Sequence, residues 1–395
     1  MSELKKLLDV CDFQGGTQPP KNEWINSQKT GYIRMIQIRD YSQGDEKFIQ
    51  YVLDTPQLHK CDKTDIMLSR YGYIGQPFMG LSGAYNVALV KVVKKLPVET
   101  LYLFYYFQSA YFQHSLLSNV GARATIPGFN KTELSNTVIL IPDHKKQLSI
   151  AAQFKQIDKA ITNQKKQLEF FDMLVKSRFI ELFGNPVTNS KNIIQLTLPE
   201  LGEFGRGVSK HRPRNAIELL GGQYPLIQTG DVANADLYIK EYTETYSEFG
   251  LNQSKMWDKG TLCITIAANI AKTAILNFNA CFPDSIVGFN ANSLTNNIYI
   301  HYWFSFFQEI LEKQAPESAQ KNINLKVLSE LKVIVPIIEL QNEFVEFVQV
   351  IDKSKFECSI SLNLLKSFNI IIIFKHKSSN WQFFIIQNTF ALKIF

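Results

Sequence analysis

The chain carries the same pattern twice, about 194 positions apart. Leu134-Ser135 followed by VILIP (138–142) returns as Leu328-Ser329 followed by KVIVP (332–336). At the same offset Gln147 returns as Gln341, and Ile157-Asp158-Lys159 returns as Ile351-Asp352-Lys353. Upstream, GYIRMIQIRD (31–40) and GQYPLIQTGD (222–231) share Ile-Gln and a closing Asp. Solenoid repeats run ~20–50 residues, so a period this long points to a duplicated domain. A chain of 395 residues has room for two.

Each copy presents its elements in the same order. Short β-rich runs come first, over 32–38, 47–53, 65–69 and 84–93 in copy one. Copy two has them over 224–228, 261–266, 273–277 and 286–289. Aromatic-rich stretches follow over 101–117 and 298–313, and by length and composition they predict buried helices. A strand ending at Pro142 or Pro336 closes each copy.

The hydrophobic period then changes. Phe154, Ile157, Ile161, Gln164, Leu168, Phe171, Val175, Arg178 and Leu182 alternate in steps of three and four, which is a coiled-coil seam with two polar interruptions. Residues 145–183 lack Pro and Gly, and Gly184-Asn185-Pro186 supplies a stop. A helix of ~39 residues at 1.5 Å per residue spans about 58 Å. Copy two repeats the seam at Val348, Ile351, Lys355, Cys358, Leu362 and Leu365. Gln164 and Lys355 either set register at a cost in stability or are half-exposed positions of a frayed heptad.

Composition narrows the function classes. Net charge is only +6, so any phosphate-binding surface must come from local clusters. Five widely spaced cysteines with no CxxC argue against a zinc ribbon or disulfide scaffold and fit a reducing cytoplasm. MSELKKLLD at the start is a short amphipathic stretch without the apolar core of a signal peptide. No window of ~18 uninterrupted apolar residues predicts a membrane span.

With these features in place, the chain resembles the DNA-specificity subunit of Type I restriction–modification systems, over about residues 4–367. The resemblance rests on FQGGT (13–17) with Pro19-Pro20, on 31–40, on KTDIMLS (63–69), on 121–140 and on KSRFIELFG (176–184). In copy two it rests on FGRG (204–207), on 225–231 and on AQKNINLKVLSELKVIVP (319–336). It implies an α+β fold: two tandem target-recognition domains of mixed structure, each followed by a long helix, with the helices packed as an antiparallel coiled coil. The boundaries it implies are 1–142 and 186–336 for the recognition domains, and 143–185 and 337–367 for the central and C-terminal spacer helices. An atypical apolar tail then occupies 368–395. The resemblance further implies that each domain reads half of a split double-stranded DNA target, and that the helices set the gap. Two modification subunits using S-adenosylmethionine would dock on the chain, and restriction subunits using ATP and Mg would join them. The chain itself would be a non-catalytic cytoplasmic subunit with no cofactor, no metal and no membrane contact.

Candidate DNA ligands follow. Arg206, Lys210, His211, Arg212 and Arg214 form the densest basic cluster, with no acidic residue over 204–217. Gly205, Gly207 and Pro213 predict a loop, in which arginine forks reach phosphates or guanine edges; the alternative is a solvated surface loop. The matching copy-one loop offers Thr17, Gln18 and Lys21. Arg70, Tyr71 and Tyr73 follow the 65–69 run, as Ala268, Asn269 and Lys272 follow 261–266. Arg34 and Arg39 flank a strand as candidate phosphate ligands. Asn322 and Asn324 could read adenine or cap a turn.

Enzyme signatures are sparse. There is no GxxxxGK[ST] and no Asn/Asp-Pro-Pro-aromatic tetrad, and His59 with Cys61 has no further ligand at metal spacing. A stand-alone Mg-dependent nuclease would have to be assembled from Asp284, Glu330 and Lys332. A second rival is a protein-binding coiled-coil adaptor. The tail departs from copy one: it lacks a second KSRFIELFG and reads either as a frame-shifted end or as a segment that docks on apolar surface.

Overall fold

The computed structural model describes residues 3–44, 46–120, 128–267, 269–314, 323–368, 372–377 and 380–385. Ala268, Asn322 and most of the tail lie outside these residues. The chain forms two compact units, Met1–Lys165 with Ile360–Phe395, and Lys166–Ser359. These units divide the two long helices rather than following the boundaries between domains and spacers.

In the first unit the order is β1 (Glu3–Lys6), α1 (Leu7–Val10), β2 (Cys11–Gly15), β3 (Tyr32–Ile36), α2 (Ile38–Ser42), β4 (Tyr51–Leu53) and β5 (Lys60–Cys61). Then come β6 (Met67–Ser69), β7 (Pro77–Phe78), β8 (Gly83–Tyr85), β9 (Leu89–Lys94), α3 (Thr100–Gln108), α4 (Ala110–Val120), β10 (Val138–Ile141) and the start of α5 (His144–Phe183). The strands form two four-stranded sheets, β2-β9-β6-β7 and β4-β3-β8-β5, and a separate β1-β10 ribbon. The opening amphipathic stretch thus becomes β1 and α1, and Leu7 and Val10 are fully buried.

The second unit runs β11 (Gln195–Thr197), α6 (Leu198–Leu201), β12 (Gly202–Arg206), β13 (Leu220–Leu226), α7 (Thr229–Asn234), β14 (Tyr238–Ile239), β15 (Glu244–Tyr246) and α8 (Glu248–Asn252). It continues with β16 (Met256–Trp257), β17 (Leu262–Thr265), β18 (Thr273–Leu276), β19 (Ala280–Cys281), β20 (Ile286–Ala291), α9 (Asn297–Gln314), α10 (Leu325–Ser329), β21 (Lys332–Ile334) and α11 (Ile338–Phe368). Its sheets are β12-β20-β17-β18-β14, β15-β13-β19-β16 and the β11-β21 ribbon. Strand for strand this is the first unit again, with β14 added at one edge. In the tail, the backbone of β22 (Ile372–Lys377) and β23 (Asn380–Ile385) pairs as an antiparallel hairpin.

The repeated residues make repeated bonds. In both copies the Ile-Gln-x-x-Asp motif ends a strand and starts a helix. The Asp40 carboxylate accepts the Gln37 backbone N–H at 2.8 Å, and Asp231 accepts that of Gln228 at 2.7 Å, each half of a capping box. Gln147 and Gln341 are buried, and each donates to the carbonyl of the closing proline, Pro142 or Pro336, at 2.8 Å. Their amide oxygens accept the Glu99 N–H and the Thr295 hydroxyl, each at 2.8 Å. A buried polar group persists only when it is satisfied in this way. Tyr102 and Tyr299 likewise donate to the carbonyls of Leu140 and Ile334.

Several expected runs are shorter or broken, among them three in the first unit. Over 47–53 only β4 is extended, because a 3-10 turn occupies Glu46–Phe48. The 84–93 run splits into β8 and β9. The 101–117 helix breaks at Ser109, whose hydroxyl donates to the Tyr106 carbonyl and accepts the Phe112 N–H at 3.2 Å, so that it caps α4.

The helical seams form as the spacing predicts. Phe154, Val175, Val348, Ile351, Cys358 and Leu362 are buried, and Ile157, Ile161, Leu168, Phe171, Leu182 and Leu365 are half-buried. In the first unit Phe154 stacks on Tyr105 at 5.0 Å, and Gln164 donates to the Ser361 hydroxyl at 3.3 Å. In the second, Lys355 meets Asp172 at 2.7 Å and Arg178 meets Glu343 at 2.6 Å. The partners run in opposite directions along the two helices, so the pairing is antiparallel. Lys355 keeps only 16% of its side-chain exposure, which makes it a specific contact rather than a frayed position. Phe179, one turn past the Val175 seam position, is enclosed by the rings of Phe183, Tyr299, Phe306 and Phe344 at 4.8–5.4 Å.

The two helix faces should therefore differ sharply in mutational cost. Phe179→Ala is expected to destabilise the second unit by about 3–5 kcal/mol. Phe170→Ala, at a position 56% exposed, should change stability by no more than about 0.5 kcal/mol. Denaturant unfolding of the two variants measures this, and equal costs would contradict the assigned seam.

Candidate nucleic-acid interface

Two loops per unit hold the candidate residues, and the same backbone devices shape both copies. The first loop leaves β2 or β12 at a glycine pressed against the chain beside it. A Cβ on Gly16 would collide with the carbonyls of Tyr85 and Asn86, and one on Gly207 with those of Phe282 and Pro283. Only glycine permits that approach. In the first unit Thr17 is anchored, its N–H donating to the Tyr85 carbonyl at 3.0 Å and its hydroxyl accepting the His59 N–H at 3.3 Å. Gln18 and Lys21 are exposed.

In the second unit Arg206 is not in the loop, contrary to the expectation from its glycine neighbours. It is the last residue of β12, opposite Val287 in β20, and is exposed. The loop proper begins at Gly207. The Lys210 backbone N–H donates to the Gln253 carbonyl at 3.0 Å, leaving its exposed side chain to point away from the core. Arg212 donates to the carbonyls of Ser209 and His211 at 2.6 and 2.8 Å. Arg214 meets Asp284 at 2.5 Å, and the other Asp284 oxygen lies 3.7 Å from Arg212. His211 faces Glu218 at 3.5 Å and packs edge-on against Phe249.

The second loop follows β6 or β17 and is clipped by a hydroxyl. Ser69 donates to the Tyr73 carbonyl and accepts the Gln76 N–H at 3.0 Å, and the Gly75 N–H returns to the Ser69 carbonyl at 2.8 Å. Thr265 donates to the Asn269 carbonyl and accepts the Lys272 N–H at 3.1 Å, and the Ala271 N–H returns to the Thr265 carbonyl at 2.8 Å. Gly75 and Ala271 both take positive φ, +76° and +56°, so the two loops share a conformation although only the buried Ile74 and Ile270 are identical between them. This clip is legible only as a Ser and a Thr ending matched strands. At the tip of the first loop, Arg70 donates to the Phe129 carbonyl at 3.1 Å and lies over the Tyr71 ring. Tyr73 projects with 86% of its surface free. Lys272 is half-buried.

Other candidates are engaged inside their unit. Arg34 sits within β3 and pairs with Asp40 at 2.6 Å. Arg39, on α2, donates to Gln50 at 2.7 Å and to the Phe48 carbonyl at 3.3 Å. Asn324 caps α10 by accepting the Val327 N–H at 2.9 Å. The groups needed for a nuclease are each paired elsewhere or set in a strand: Asp284 with two arginines, Glu330 with Lys326 at 3.7 Å, and Lys332 in β21 opposite Thr197. Among the described residues no group of three His, Cys, Asp or Glu could hold a metal ion. The cysteines are buried thiols; burial pushes Cys11 up to about 12 and Cys61 up to about 11, far from thiolate chemistry. Among the described residues no helix is long and apolar enough to cross a membrane.

Comparison with known proteins agrees with this architecture. The family model for the Type I restriction modification DNA specificity domain matches residues 2–169 and again 196–363, so the chain belongs to that family. It is a specificity subunit of a Type I restriction–modification system, a non-catalytic component devoted to DNA-sequence recognition. Among its relatives is the protein described as the MjaX specificity subunit of Methanocaldococcus jannaschii, 24% identical over 382 residues, covering 89% of this chain and 86% of that one. The MjaVIII specificity subunit of the same organism is 24% identical over 225 residues, 56% of this chain and 50% of the relative. Two solved structures share the fold. One is a chain from work on complex assembly and conformational transition of the type I R-M system (TM-score 0.59, 15% identity, 93% of this chain and 95% of that one). The other is the S subunit from M. genitalium (TM-score 0.51, 14% identity, 93% and 94%).

If the hydroxyl clips hold the second loops in shape, Ser69→Ala and Thr265→Val should each cost about 1–2 kcal/mol. They should also raise amide hydrogen exchange locally, over 70–76 or 266–272 respectively. Unchanged exchange in those segments would show that the loops are held by other means.

Proposed function

We propose that each unit reads one half of a split double-stranded DNA target and that α5 and α11 fix the gap between the halves. The observation that carries this is one scaffold built twice with unlike loops on it. Matched glycines and matched hydroxyl clips present different side chains in each copy, as two half-sites of different sequence require. In the second unit the readers are Arg206, Lys210, Arg212, Arg214 and Lys272, a cationic set suited to phosphates and guanine edges. In the first they are Thr17, Gln18, Lys21, Arg70, Tyr71 and Tyr73. Arg34 and Arg39 contribute there only what their internal bonds leave free. The helices also dock two modification subunits, which use S-adenosylmethionine to methylate adenine. Restriction subunits using ATP and Mg complete a cytoplasmic assembly in which this chain carries no cofactor of its own.

Co-expression with the cognate modification subunit and genome-wide mapping of methylated adenine tests the reading. The expected motif is split, with a fixed gap. Replacing Arg206, Lys210, Arg212 and Arg214 together by Ala should degrade one half and leave the other intact. Duplex binding by the assembled complex should fall steeply with salt. An undivided motif, or loss of both halves together, would contradict two independent readers. Salt-insensitive association or none would favour a protein-binding adaptor.

A further inference from the structure

Asp284 lies on the turn before β20, in the middle of the basic cluster that the second unit presents. Its Oδ1 takes Arg214 at 2.5 Å and its other oxygen faces Arg212 at 3.7 Å. Arg212 is braced further by the carbonyls of Ser209 and His211. All three side chains stay accessible, at 46% for Arg214, 54% for Arg212 and 35% for Asp284. Arg212 commits its Nη1 to the loop and keeps its other donors accessible. Arg214 spends one edge of its guanidinium on Asp284, and a guanidinium has five donors.

Phosphate binding does not explain a carboxylate in this place. An arginine that only grips the DNA backbone works by charge, and a paired carboxylate cancels part of that charge and repels the phosphate itself. Beside Arg214 opens a cleft of about 150 Å³ whose wall includes a second acid, Glu244, held by Gln228 at 3.0 Å. A phosphate seated in this cleft would face the Glu244 carboxylate, beside an arginine already paired with Asp284. A purine edge, which offers neutral acceptors, would not suffer that repulsion. What a carboxylate gives an arginine is a fixed plane, and bidentate reading of guanine depends on that plane. The first unit has no such acid: from the matched approach of Gly16 and Gly207, the position corresponding to Asp284 is Val87.

We infer that Arg214 reads a base edge, guanine by its donor pattern, and that Asp284 is a specificity-determining positioning residue that orients it, with Arg212 as the brace. This rests on the second unit being a DNA reader, and the test separates the two ideas. The assembled complex with its modification subunit is compared for the wild-type chain, Asp284→Asn and Arg214→Lys, by methylated-motif mapping and by duplex binding across a salt series. A thermal melt of each variant checks folding, and the near-isosteric Asn keeps the shape of the loop. Both variants should relax the same single position, by about tenfold in discrimination, in one half of the motif only. Asp284→Asn should at the same time tighten binding to non-cognate duplex, since it removes a negative charge. If Asp284→Asn tightens binding to all sequences alike and leaves the motif unchanged, Arg214 is a phosphate ligand and the inference fails. If the wild-type complex itself yields no split motif, the reading of the unit as a DNA reader fails instead.

Discussion

The packing of α5 against α11 is the interaction on which both units depend. The boundaries of the units fall inside the helices: the first takes in the end of α11, and the second, a single stretch from Lys166 to Ser359, takes in the latter half of α5. Within the second unit, Val175, Phe179 and Phe183 from α5 share one core with Phe344, Val348 and Ile351 from α11 and with Tyr299, Trp303 and Phe304 from α9. Apolar burial of this extent supplies the stability. The polar pairs in the seam contribute little net energy, but a shift of either helix by one turn would leave Lys355, Asp172 or Arg178 without a partner in a partly dry interface. The seam therefore fixes one register, as a polar residue at a core heptad position does elsewhere.

Much of this was legible because duplication turns single residues into patterns. The heptad steps placed a seam inside each helix, the Pro- and Gly-free run over 145–183 matched α5 to within a residue, and the repeated Gln and Asp positions marked bonds that are made twice. Other features were not legible because they depend on what approaches from far along the chain. That Arg206 ends a strand follows from its register against Val287. The break at Ser109 follows from one hydroxyl outcompeting helical continuation, where α9 runs unbroken through the matched region. Arg34 looked like a surface cation and proved to be the partner of Asp40, a bond that copy two cannot make because Pro225 stands in the matching place.

The same contrast explains how one fold serves two half-sites. Positions that set backbone shape are shared or equivalent in the two copies: Gly16 and Gly207, Ser69 and Thr265, Gly75 and Ala271. Positions at loop tips differ in charge, size and hydrogen-bonding capacity, as with Gln18 and Lys21 against Lys210 and Arg212. Selection on DNA sequence can then act on the tips without disturbing the frame, since a surface side chain away from the core costs little stability to change. The tail sits outside this scheme. It replaces a second KSRFIELFG, whose first copy supplies Phe179 and Phe183 to a core.

The most direct measurement inserts one heptad into each helix at the facing positions Gln164 and Ser361, which keeps the seam in phase. Methylated-motif mapping then reads both the half-sites and the gap. Seven residues add about 10 Å of helix, so the gap should lengthen by about three base pairs at 3.4 Å each, with both half-sites unchanged. An unchanged gap with both halves still read would contradict the helices as the ruler.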